Sequence, residues 1–133
     1  MHELNDFLTS WPSTAEGNKE AFISLQQHLA QMEGVQLQFI ARPGITYSLR
    51  ARHQAQQKRE LFVMVDVIED EPRWLSVCMY QDLVSDPDEE GDFVPGGLLG
   101  EDAICFDMET ASDTQLAYIR ERIDEACAKA AQE

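Results

Sequence analysis

The chain has 133 residues, 44% of them hydrophobic and 26% charged, an ordinary globular balance that argues against wholesale disorder despite a formal net charge of −15. That charge repels phosphate backbones and anionic lipid, which excludes nucleic-acid and membrane-surface binding as primary functions. No apolar run approaches the roughly 18 to 20 residues of a spanning helix, and Met1 to Ser10 carries acids but no Lys or Arg, so neither an anchor nor a signal peptide is expected.

Leu4, Phe7, Leu8 and Trp11 predict a short helical turn with one apolar side. From about Glu16 to Glu33, Phe22, Leu25, Leu29 and Met32 recur at three- and four-residue steps and make the stripe of an amphipathic helix, which Gly34 ends. Ser13 to Glu16 reads as a capping box for its start. At Val35 the period switches to two. Val35, Leu37 and Phe39 alternate with Gln36 and Gln38, and after the turn at Arg42-Pro43-Gly44 the residues Ile45, Tyr47, Leu49 and Ala51 alternate with polar and cationic ones.

His53 to Arg59 reads as a polar connection. Leu61 to Ile68 is a β-branched run suited to a central strand, and Trp74 to Tyr80 follows it after an acidic turn, as in an antiparallel meander. The segment 85–102 is acidic and then glycine-rich and reads as a long loop. Ala103 to Phe106 is a short last strand, and Ser112 with Gln115 caps a final helix striped by Leu116, Ile119, Ile123, Cys127 and Ala130. The expected architecture is one α+β domain over 1–133, a two-layer sandwich. An antiparallel sheet of about five strands carries N-terminal and C-terminal helices packed on one face. In order of elements and low pI the chain resembles the frataxin-like fold, and in size and charge small acidic secretion chaperones. The acids that bind iron in the former have no counterpart here, because the first strands carry bases, and no family is assigned.

Charge is placed unevenly. From Gly34 to Arg59 the ionised residues are Arg42, Arg50, Arg52, Lys58 and Arg59, with no acid, whereas Asp66 to Asp113 holds fifteen acids and one base, Arg73. The cysteines Cys78, Cys105 and Cys127 are odd in number and none sits in a C-x-x-C pair. They predict neither a disulfide framework nor a zinc knuckle, and they fit a reducing cytoplasm. Asp86, Asp88, Glu90 and Gly91 imitate the start of an EF-hand loop, but Gly97 stands where the bidentate Glu is needed. Pro95 to Gly100 lacks the Gly-Lys-Ser/Thr ending of a phosphate-binding loop. No metal, cofactor or catalytic residue is assigned.

The sheet face away from the helices is expected to carry Ser48, Arg50, Arg52, Phe62, Met64, Asp66, Trp74, Cys78 and Tyr80, too apolar a set to be left in water. The acidic loop folded over Arg50 and Arg52 is the expected cover. A protein partner or a second copy is the leading alternative, making the chain a non-enzymatic interaction module. Arg50, Arg52, His53, Asp66, Trp74 and Tyr80 are the candidate ligand-binding residues if the face instead holds an anionic small molecule. Metal binding by the acidic loop is a further expectation.

Overall fold

A computed structural model describes residues 1–133. In chain order the elements are α1 (His2–Ser10), α2 (Asn18–Ala30), β1 (Val35–Arg42), β2 (Thr46–His53), β3 (Val63–Ile68), β4 (Trp74–Tyr80), β5 (Asp92–Leu98), β6 (Glu101–Met108) and α3 (Asp113–Ala130), with a 3-10 turn at Gln81–Leu83. The strands form a single antiparallel sheet in the order β1-β2-β3-β4-β6-β5. No helix is long and apolar enough to cross a membrane.

The fold is the expected α+β sandwich with one more strand. The sixth, β5, comes from the segment read as a loop. Its alternation is broken by Pro95, Gly96 and Gly97, and the ladder to β6 shifts register between Val94 and Leu98, so no period-two signal survives there.

Period-two alternation decides the layers. Tyr47, Leu49 and Ala51 on β2, Val63, Val65 and Val67 on β3, Leu75, Val77 and Met79 on β4, and Phe106 and Met108 on β6 are all buried on one face. Onto them α2 lays Phe22, Leu25 and Leu29, and α3 lays Ile119, Ile123, Ala126 and Ala130, every one fully buried. Truncating a side chain such as Phe22 removes its burial and leaves a cavity, at a cost of about 3–5 kcal/mol. α1 joins the same layer at its edge. Phe7 stacks on Tyr47 with ring centroids 4.3 Å apart and lies 5.5 Å from Phe39, and the Arg73 guanidinium sits 5.1 Å from the Phe7 ring and 5.0 Å from that of Tyr47.

Helix α2 begins later than the capping box suggests. Ser13 donates to the Glu20 carboxylate at 2.6 Å, and the cap is Gly17, whose φ of +74° only glycine adopts easily. Asn18 fixes this start. It is 1% exposed, and its side-chain amide donates to the carbonyls of Arg73 (2.9 Å) and Glu109 (2.8 Å), so moving the helix would leave a buried amide without its two acceptors. At α3 the expected cap forms, with Ser112 Oγ accepting from the Gln115 amide at 3.3 Å.

Two departures from expectation concern chemistry. Cys78 and Cys105 stand opposite each other on β4 and β6 and form a disulfide, while Cys127 is free and buried. The odd cysteine count is a poor guide here, and the expectation of no disulfide is overturned. The connection after β2 is not merely polar either. Arg59 there is 7% exposed in its side chain. It pairs with Glu101 (2.8 Å), Glu133 (2.8 Å) and Asp82 (3.0 Å), and its guanidinium lies 4.2 Å from the Tyr80 ring centroid. The Glu101 hydrogen bond above all pushes the Arg59 pKa up against the effect of burial. The same contact holds the Glu101 and Asp82 carboxyls below the ordinary range.

Denatured without reductant, the protein is expected to expose a single thiol to a colorimetric titrant, and three after reduction. Across a separation of 27 residues the crosslink restricts the unfolded chain by about 3–4 kcal/mol. Reduction, or Cys105→Ser, is therefore expected to lower the melting temperature by several degrees with the fold retained. Three free thiols in untreated protein would contradict the pairing.

Candidate functional site

All three helices occupy one side of the sheet, and the other side is a nearly bare surface whose side chains the strand registers arrange in rows. One row runs Arg42, Thr46, Ile68, Trp74. The next runs Ile40, Ser48, Asp66, Ser76, Asp107. A third runs Gln38, Arg50, Met64, Cys78, Cys105, Asp92. Read across the strands, the first and third rows pass from basic or polar residues on β1 and β2 to apolar ones on β3 and β4, whereas the second runs from Ile40 through the polar Ser48, Asp66 and Ser76. The second and third end in acids on β6 and β5. Ile40, Met64, Ile68 and Trp74 are half-buried, and the disulfide lies among them.

The acidic turn does not cover this face, which corrects the expected pairing of Asp86 to Asp92 with Arg50 and Arg52. It packs instead on α3. Asp86 accepts hydrogen bonds from the Tyr118 hydroxyl and from the amides of Glu90 (3.0 Å) and Gly91 (2.9 Å). Glu125 takes both the amide (3.0 Å) and the hydroxyl (3.1 Å) of Ser85. Burial works against ionising Asp86, yet the bonds from Tyr118, Gly91 and Glu90 hold its carboxyl below the ordinary range. Those bonds also occupy the oxygens an ion would need. No group of three or more His, Cys, Asp or Glu side chains is arranged to hold a metal ion.

The candidate residues fall in different places. Arg50 and Arg52 come together in a cleft of about 210 Å³ on the bare face, walled by Gln36, Gln38, Glu60 and Leu61. Asp66 is next to it, not in it. The Arg50 Nε donates to Ser48 Oγ at 3.2 Å, and Ser48, which is 1% exposed, sits between Arg50 and Asp66. His53 pairs with Val35 and so has the opposite parity to Arg50 and Arg52. Its Nδ1 accepts from the Ala55 amide at 3.0 Å, and its ring lies so close to Gly34 that a Cβ there would meet Nε2 at 2.7 Å. Trp74 is on the bare face and donates to Asp70 at 3.3 Å. Tyr80 has the parity of the bare face but is 1% exposed, because Arg59 covers it. Gln36 and Gln38 were the cleft residues overlooked, although their alternation with Leu37 had already put them across from the two arginines.

Asp66 is the carboxyl on this face that burial works against. Oδ1 is buried without a hydrogen-bond partner, and burial pushes the carboxyl pKa up, opposed by the Ser48 hydroxyl and by the charges of Arg50 and Arg42. Comparison with family models, with curated proteins and with solved structures finds no match for this chain.

A carboxyl whose folded pKa lies above its unfolded value contributes stability that is fully present below the unfolded pKa and lost as pH rises through the folded one. Asp66→Asn is therefore expected to raise the melting temperature at pH 7, with the gain shrinking to nothing once the pH falls below the ordinary carboxylate range. Thermal melts of the two proteins across that span check it. A variant less stable than the parent at pH 7 would mean that Arg50 and Arg42 outweigh burial.

Proposed function

We propose that this protein is a binding module and not a catalyst, and that it engages a protein partner through the bare sheet face. The observation that carries this reading is the position of the cover. α1, α2, α3 and the acidic turn are all fixed to the opposite side, while the bare face leaves Ile40, Met64, Ile68 and Trp74 only partly buried, with Asp66 and Ser76 in the row between Met64 and Ile68. Partly exposed apolar side chains interleaved with charged and polar ones, and covered by no element of the chain, are the mix that a non-obligate docking surface presents. Trp and Arg on such a surface are the residue types that carry most interface energy.

Catalysis finds less support. His2 and His28 lie beside Asp6 and Asp124 far from the cleft, and His53 has the wrong parity. The two arginines of the cleft suit a carboxylate held in a forked geometry, which a partner's side chain supplies as well as a free anion does.

The test is site-specific photo-crosslinking in cells of the source species. A photoreactive residue at Met64 or Ile68 is expected to capture one discrete protein, and the same residue at Gln27 on α2 is expected to capture none. Equal capture from both sides, or from neither, would remove the reading. An adduct of twice the chain mass would identify the partner as a second copy.

A further inference from the structure

We propose that β1 accepts along its free edge an extended segment of a partner protein in which acidic residues alternate with apolar ones. This rests on the reading of the bare face as a binding surface, and it states what the partner brings to the basic end of that face.

The first argument is the contrast between the two edges of the sheet. β5 is a poor template for another strand, since it holds Pro95, two glycines and a break in register. β1 has none of these guards. All eight of its residues pair with β2 in unbroken register from Val35↔His53 to Arg42↔Thr46. On its other side it meets no strand. Outside that ladder its backbone bonds are confined to its ends, where Val35 N donates to Met32 at 3.3 Å and the Arg42 carbonyl accepts from Ile45 at 2.9 Å. An added strand would pair with the middle of β1 without displacing anything.

Charge decides what that strand carries. Arg42, Arg50 and Arg52 take part in none of the chain's ion pairs. They are spread along the β1–β2 edge of the bare face, from Arg42 opposite Thr46 to Arg52 opposite Gln36, on a molecule of net charge −15. A strand added to β1 would lie about 9–10 Å from β2, two strand spacings away. An extended Arg and a Glu side chain together bridge that distance across Gln36 or Gln38, and Arg42 is adjacent. Side chains of the added strand that point to the bare face therefore meet guanidinium groups, with Glu60 as the one acid in the cleft.

Those that point the other way meet different chemistry. On the helix side of β1 a groove of about 430 Å³ is lined by Phe7, Phe39, Ala41 and Tyr47 and rimmed by Glu3 and Asp6, and its one base, Arg73, is already paired with Glu69 at 2.9 Å. It accepts apolar side chains and repels acids. The opposed signs of the two sides, one residue out of register, demand the alternation. A second copy of β1 fails this test, because its sequence Val35–Arg42 has no acid and would set Arg42 against the same basic edge.

The experiment uses the whole protein and a short fluorescent peptide of alternating Glu and Val, long enough to span β1. Anisotropy titration is expected to give saturable binding. A Lys-Val peptide is expected not to bind, and a Glu-Val peptide with a central Pro to bind at least about tenfold more weakly. In hydrogen exchange the amides of β1 that point away from β2 gain protection. Arg52→Glu, at a site outside any ion pair and away from Asp66, with folding verified by circular dichroism, is expected to lose about tenfold or more in affinity. Undiminished binding of the Pro peptide, no protection at β1, or indifference to the charge reversal would overturn the proposal. The broader reading fails separately: crosslinks from Met64 and Ile68 would persist if only the β1 proposal were wrong, and would vanish if the bare face bound nothing.

Discussion

The carboxylate of Asp86 accepts from the Tyr118 hydroxyl and from two amides of its own turn, and with Glu125 on Ser85 it ties the acidic segment to α3. The appearance of the molecule follows from that tie. A segment bearing Asp86, Asp88, Glu89 and Glu90 is the natural electrostatic lid for a hairpin bearing Arg42, Arg50 and Arg52. Held on the far side of the sheet, it leaves the hairpin's charge and the apolar side chains of the face uncovered. The hydrogen bonds win over the longer-range attraction because they are short, directional and partly shielded, whereas exposed charges across a sheet are screened.

The basic residues of the first half divide accordingly. Arg59 is consumed inside the fold, where it gathers Asp82, Glu101 and Glu133 and covers Tyr80, clamping the connection after β2 to the end of α3 and to the turn before β6. The other three arginines are not. The protein thus neutralises its basic half locally at one buried point and leaves the remainder outward. Asp66 sits where these two regimes meet, a carboxylate on the bare face with one oxygen unpartnered. Keeping a charge there opposes stability, as conserving a surface for binding often does.

Much of this was legible from residue spacing. The two helix stripes, the switch to period two at Val35 and the parity of β2 to β4 give the layers directly, and they put Arg50, Arg52, Met64, Asp66 and Trp74 on one face. What was not legible has specific causes. β5 is hidden by Pro95, Gly96 and Gly97. Tyr80 shares the outward parity but is buried, because a side chain in a connection, Arg59, reaches over it. His53 shares sequence neighbourhood with Arg50 and Arg52 but not their parity, and parity decides. The disulfide has a sequence signal in the pairing of the two strands that carry Cys78 and Cys105. Where the acidic segment docks depends on Tyr118 and Glu125, residues distant in sequence with no periodic mark.

The central claim is that one face of the sheet is left uncovered while the acidic turn is held on the other. Methyl NMR with a soluble paramagnetic agent measures this directly. The account predicts strong relaxation of the Met64 and Ile68 methyl groups and of Ile40, with Val65, Ile119 and Ile123 untouched. Protection of Met64 and Ile68 equal to that of Val65 in the isolated protein at low concentration would contradict it.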